Sequence, residues 1–148
     1  MDKMPPRWMY RFDNYEKAMR LLREAIAILG QPTASPEVKK LMEEGLIQRF
    51  EYSWELGWKL LKDYLEVRGI VLDSKTPASV IRAAFAAEII TDGDAWMEAL
   101  EDRNKMAHTY DVKEFERIVV QIEQRHAALL DTLHTTMHTI KEREFSHA

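Results

Sequence analysis

The sequence predicts an all-α protein, one antiparallel up-and-down bundle of four to five helices. Three observations lead there. Apolar residues recur at alternating spacings of three and four along each long segment, which draws one stripe down a helix. No stretch alternates apolar and polar residues over strand length, so no sheet is expected. The five prolines and five glycines gather at a few points, and between Ala78 and Ala148 there is no proline and a single glycine, Gly93.

The first helix is expected over roughly Arg7 to Leu29. Its stripe is Phe12, Tyr15, Met19, Leu22, Ile26 and Leu29. Gly30 is expected to end it in a left-handed conformation. The second runs from about Pro36 to Arg68, with Ser35 as cap and Pro36 as first residue. Ile47, Phe50, Trp54, Trp58, Leu61 and Leu65 form its stripe. About 33 residues at ~1.5 Å each make a rod of roughly 50 Å, so it either breaks near Gly45 or projects into an oligomer partner. The third starts at Thr76-Pro77, faces Val80, Ile81, Ala84 and Phe85 inward, and ends before Asp92-Gly93. The fourth starts near Asp94 and carries Trp96, Leu100 and the polar pair Arg103-Asn104. Asp111 and Glu114 read as a capping box that opens a fifth helix through Phe115, Ile118, Ile122, Leu129 and Leu133. Residues 1–6 and 141–148 read as flexible tails.

The chain is 148 residues long, the size of one domain. Hydrophobic residues are 46% and charged residues 31%, a globular balance. The longest apolar runs, Ala25–Leu29 and Ala83–Ala87, are far short of the ~20 residues a bilayer needs. With no basic-then-apolar leader at the start, a cytoplasmic protein with no membrane partner is expected. There is no cysteine, which excludes disulfides, thiolate nucleophiles and Cys-ligated zinc. The net charge of −4 argues by itself against a dedicated nucleic-acid binder.

No Walker loop, GxGxxG, GxSxG or HExxH occurs. His134 and His138 stand four apart and share a helix face, a spacing that can bind metal. With no carboxylate at an obvious ligand position, they read instead as solvated helix histidines, and no metal is expected. Trp54 and Trp58 also share a face, and read as core or interface before they read as a base-stacking platform. Arg7, Arg11, Lys17, Arg20 and Arg23 make the first helix basic, either as a solvated face or as a phosphate-contacting ridge.

The most informative stretch is Glu101 to Asp111. It brings Arg103, Asn104, His108 and Tyr110 within eight residues, where one helix ends and a capped one begins. Arginine offers a fork suited to phosphate oxygens, and histidine exchanges protons near neutral pH. The plain alternative pairs Arg103 with Glu101 or Asp102 and leaves His108 at a helix C-terminus. Asn104 and His108 stack on one helical face at ~100° per residue, while Arg103 lies roughly 140° around from His108. One straight helix cannot aim both at a single phosphate. Either the helix ends between them, or a second protomer supplies a copy.

Arg103-x4-His108-x-Tyr110 resembles the Arg-x4-His-x-Tyr signature of HEPN domains, small helical bundles of prokaryotic toxin–antitoxin pairs. The stretches from Ile47 to Leu65 and from Trp96 to Asn104 resemble one branch, the nucleotidyltransferase substrate-binding protein family, and Phe12–Leu22 and Ser79–Phe85 also fit it. The likeness runs from Phe12 to about Ile122. It implies a single HEPN-like domain over 1–148, a homodimer, and a separate minimal nucleotidyltransferase as partner. In HepT-type relatives the HEPN protein is a metal-independent ribonuclease that needs no cofactor. Carried over, Arg103 would bind the scissile phosphate, His108 would transfer the proton, and Asn104 would orient the phosphate or hold His108. Tyr110 would accept the AMP by which the partner silences the toxin.

Two readings follow from the resemblance. One is a toxin subunit that cleaves RNA. The other is a non-catalytic subunit that binds a nucleotide substrate for, or regulates, the nucleotidyltransferase. Between Glu98 and Glu116 six acids face three bases, so any RNA is held by few contacts. The acidic balance limits long tracking of a polyanion, which needs many phosphate contacts. It leaves room for a cleft that holds one phosphate.

Overall fold

The computed structural model describes residues 4–32, 35–107 and 111–145. Among these residues the chain forms five helical rods and no strand. They are α1 (Arg7–Leu29), α2 (Pro36–Val67), α3 (Pro77–Ala86), α4 (Gly93–Met106) and a last rod in three parts. That rod comprises α5 (Val112–Gln121), a π-helical turn (Ile122–His126) and α6 (Ala127–Phe145).

Four of the five rods start behind a short polar side chain, and α1 starts behind Pro6 with no side-chain cap. Ser35, Thr76, Asp92 and Asp111 accept hydrogen bonds from the backbone N–H groups of Val38, Ser79, Ala95 and Lys113. Glu114, expected to close a box with Asp111, is turned to Arg117 at 2.7 Å. α2 runs unbroken through Gly45. It ends at Val67, and beyond the Arg68 cap Gly69 takes φ +79°, the left-handed conformation glycine holds without strain. The Ile70 N–H then bonds the Leu65 carbonyl at 3.0 Å. The left-handed turn expected at Gly30 does not form there. Gly30 keeps φ −72°, because α1 closes with right-handed turns in which the Gly30 and Gln31 N–H groups bond Ile26 and Ile28.

Side-chain pairs fix the directions of the rods. Arg11 meets Asp63 at 2.8 Å and Arg49 meets the Leu21 carbonyl at 2.8 Å, so α1 and α2 are antiparallel. Arg23–Asp131, Glu16–His134 and Asp13–Lys141 do the same for α1 and α6. Lys105–Glu114, Asp102–Arg117 and Glu98–Arg125 set α4 antiparallel to α5 and the π turn. The result is an up-and-down bundle, with the short α3 joining α2 to α4.

The core fills as the stripes require. Phe12, Tyr15, Met19, Leu22, Phe50, Trp54, Trp58, Leu61 and Leu65 are buried. The Tyr15 hydroxyl donates to the Leu130 carbonyl at 2.5 Å, tying α1 to α6. Burial drives its phenol well above the usual value. Gly57 is where α2 admits Tyr15, since a Cβ there would meet the tyrosine ring at 3.2 Å. Phe85 departs from expectation and is half exposed. It lies against the first residue of α4, where a Cβ on Gly93 would meet its ring at 3.2 Å.

The π turn has a cause in the sequence. Ile118, Ile122, His126 and Leu130 stand four apart three times running. In an α-helix each four-residue step overshoots a turn by ~40°, so three steps would drift ~120° off the core. The wider i→i+5 turn absorbs the drift, and all four residues are no more than 1% exposed.

Candidate functional site

α4 buries Ala95, Trp96, Ala99 and Asp102, spaced so that all four share its inner face. Asp102 is thereby a carboxylate carried into the core, at 6% exposure. Both its oxygens are used. Oδ1 accepts from Arg117 of α5 at 2.7 Å, and Oδ2 pairs with His126 Nε2 at 2.7 Å. Burial pushes the Asp102 carboxyl up, but the hydrogen bonds from Arg117 and His126 outweigh it and hold the carboxyl below its usual value. The hydrogen bonds to Asp102 and then to Glu114 push the Arg117 guanidinium higher still.

His126 is 1% exposed and stacks on Phe50, with ring centroids 5.7 Å apart. A carboxylate only accepts, so the donated proton sits on Nε2. Nδ1 is buried with no partner. His126 is not among the candidates the sequence suggests. The signal that marks it is the run of three four-residue steps, which puts a histidine at an apolar register position. A cleft of about 390 Å³ opens beside it between the α3–α4 turn and the π turn, lined among others by Thr91, Trp96, Arg125 and Thr132. Arg103 does not line that cleft.

Arg103 follows Asp102 and leaves α4 in another direction. Neither Glu101 nor Asp102 pairs with it. Its Nη2 donates to Glu55 Oε1 on α2 at 3.3 Å, and its Nε is buried without an acceptor. The other oxygen of Glu55 takes the Trp58 indole N–H at 3.3 Å and the Lys59 ammonium at 3.5 Å. Asn104 is exposed. α4 ends at Met106, with Ala107 as its cap, so the helix does terminate between Arg103 and position 108. His108 and Tyr110 lie outside the described residues.

The remaining candidates resolve into structure. Trp54 and Trp58 are core side chains, and Trp54 packs on Trp96 at 5.4 Å. His134 is half-buried against Phe12 and meets Glu16 of α1 at 3.0 Å, a carboxylate the linear sequence does not put beside it. His138 pairs with Glu142 at 3.1 Å. No group of three or more histidine, aspartate or glutamate side chains stands in metal-binding array among the described residues. On α1, Arg11 and Arg23 pair with other helices, while Arg7, Lys17 and Arg20 are a solvated face. No helix among the described residues is long and apolar enough to cross a membrane.

Comparison with known proteins bears on the same residues. A family model described as nucleotidyltransferase substrate binding protein like matches residues 10–139. The chain is 29% identical over 89 residues to a Haemophilus influenzae protein named probable ribonuclease HepT. That stretch is 58% of this chain and 61% of the relative, so the chain spans less than two thirds of the relative's length. A Haemophilus influenzae structure, described as revealing the fold of a substrate binding domain of a nucleotidyltransferase, superposes with a TM-score of 0.73. The identity is 23%, over 86% of this chain and 98% of that one, and the likeness is one of fold. A crystal structure from Thermus thermophilus superposes with a TM-score of 0.65 at 30% identity, over 80% of this chain and 94% of that one.

Proposed function

We propose a function from one premise: the chain belongs to the nucleotidyltransferase substrate-binding protein family. In this reading it is the HEPN-type companion of a separate minimal nucleotidyltransferase, acts as a homodimer, and is the toxin subunit of the pair, a metal-independent endoribonuclease. Arg103 holds the scissile phosphate and offsets the charge that grows on it. His108 takes the proton of the ribose 2′-hydroxyl as that oxygen attacks the adjacent phosphorus. The bond to the 5′ oxygen breaks, the proton returns to that oxygen, and a cyclic phosphate remains. Asn104 orients the phosphate or holds His108.

The observation that carries this reading is the end of α4 at Met106. A straight helix would hold residues 103 and 108 roughly 140° apart, and the described helix stops short of 108. The relative named probable ribonuclease HepT supports the same chemistry. The purified protein is expected to cleave RNA in EDTA and to leave cyclic-phosphate ends. His108→Ala is expected to slow cleavage about 100-fold or more, the usual worth of a positioned acid–base group. Full activity in that variant overturns the reading.

A second reading rests on Glu55, whose carboxylate occupies Arg103. It makes the chain a non-catalytic substrate-binding or regulatory subunit of the nucleotidyltransferase. Co-expression with the partner enzyme is expected to give a stable complex by gel filtration under either reading. The toxin reading adds AMP on Tyr110, a gain of roughly 329 Da per group in the intact mass. A complex with unmodified protein and no RNA cleavage favours the second reading.

A further inference from the structure

We propose that Arg103, Lys59 and Trp58 form a phosphate seat that the free protein fills with its own Glu55 carboxylate, so that Glu55 is a resident competitor which sets the affinity for phosphate. The proposal rests on the reading that Arg103 meets a phosphate, and it adds two binding groups and one opposing group to that contact.

Three donors from two helices converge on one carboxylate. Arg103 Nη2 reaches Oε1 from α4, while the Trp58 indole and the Lys59 ammonium reach Oε2 from within α2. Trp58 and Lys59 are three and four residues beyond Glu55, the spacings that put side chains on one helical face. A cation pair plus an N–H donor around two oxygens is the donor set of an oxyanion site.

The resident carboxylate fits it loosely. The other guanidinium–carboxylate pairs among the described residues, of Arg11, Arg23, Arg117 and Arg125, close at 2.6–2.8 Å. That is the range of a strong charge-assisted bond. Around Glu55 the three contacts are 3.3, 3.3 and 3.5 Å. Arg103 is also the guanidinium with a buried Nε that meets no acceptor. Burying an N–H without a partner is costly, and a phosphate brings more acceptor oxygens than a carboxylate shared three ways.

Exposure and charge point the same way. The Glu55 side chain is 36% exposed, so it has a path outward into water, while Trp58 is 8% exposed and fixed in the core. When Glu55 swings out, the seat keeps the two positive charges of Arg103 and Lys59 against the one or two negative charges of a phosphate group. When it swings in, one of those charges is cancelled. The apparent affinity is therefore the intrinsic affinity scaled by the fraction of protein with Glu55 displaced.

The test is a titration read at the Trp58 indole N–H by NMR, the signal being assigned by its loss in Trp58→Phe. The probes are inorganic phosphate, AMP and a 2′-O-methyl oligonucleotide that cannot be cleaved. The first probe reads the seat alone, and the other two separate a nucleotide from an RNA backbone as the source of the phosphate. Glu55→Gln keeps the shape and removes the charge, and is expected to bind about tenfold tighter than wild type. Adding Lys59→Gln to Glu55→Gln is expected to abolish most of that gain. Equal or weaker binding by Glu55→Gln, no effect of Lys59→Gln, or no movement of the Trp58 signal with any probe overturns the seat. RNA cleavage that depends on His108 together with any of those results keeps the ribonuclease reading and rejects the seat. Tighter phosphate binding by Glu55→Gln in a protein that cleaves no RNA does the reverse.

Discussion

Asp102→Ala is expected to cost about 3–5 kcal/mol of folding stability, the loss seen when one partner of a buried ion pair is removed. The reason is what stays behind. Arg117 keeps Glu114 at 2.7 Å and is partly in solvent. His126 keeps nothing, since its Nδ1 is already without a partner and its Nε2 loses Asp102. A 1% exposed imidazole with both nitrogens orphaned is the costly state. Asp102→Asn, which preserves the shape, is expected to cost less. Glu98→Ala, which breaks the exposed pair with Arg125, is expected to cost no more than about 1 kcal/mol. Urea unfolding of the three variants checks the order. A cost for Asp102→Ala no larger than for Glu98→Ala rejects the account.

The same pair predicts a dependence on pH. The Asp102 carboxyl is held below its unfolded value, which is about 3.9. Its contribution is complete above that value and is lost as pH falls from there through the lower folded one. The gap between wild type and Asp102→Asn is therefore expected to be constant near neutrality and to close below about pH 4.

Trp54→Ala is the second large effect, at about 3–5 kcal/mol, a fall in Tm of roughly 6–20 °C for a chain of this length. Trp54 is 1% exposed, between Phe50 at 6.3 Å and Trp96 at 5.4 Å. Its truncation opens a cavity where α2 meets α4. Trp54→Phe separates shape from polarity. The indole N–H is buried with no partner, so phenylalanine gives up no hydrogen bond. The expected cost is under about 2 kcal/mol, set by the smaller ring alone. Calorimetry of both variants checks this, and equal losses reject it.

What the sequence makes legible follows from the range of the forces involved. Caps act over three residues, and Ser35, Thr76 and Asp111 can be read directly. The stripes of α1 and α2 repeat over many turns, and their members from Phe12 to Leu22 and from Phe50 to Leu65 are buried. Phe85 escapes the pattern because a ten-residue helix has too few turns to separate Ala84, which is buried, from its neighbour. Gly30 escapes it because glycine permits a left-handed turn without requiring one.

The candidate site is legible as far as Arg103-Asn104 and the helix end behind them. Its partners are not. Glu101 and Asp102 are adjacent in sequence, yet Glu55, 48 residues away, holds Arg103. That choice is made by the packing of α4 on α2, which no local pattern encodes. His126 is hidden for a related reason. A histidine on a drifting stripe reads as surface until the π turn corrects the drift.

That turn has a consequence of its own. The final rod serves two masters: its first half answers α4 through Glu114 and Arg117, and its second half answers α1 through Asp131, His134 and Lys141. The π turn is the phase shifter between them. Deleting one residue within 122–126 would restore a plain α-helix and leave the downstream face within about 20° of its place, whereas straightening the turn at full length would rotate everything downstream by about 120° relative to α5. Either the α4 contacts or the α1 contacts would then be out of register. A single-residue deletion, damaging in the middle of most helices, is here the change that the two halves of the molecule can absorb.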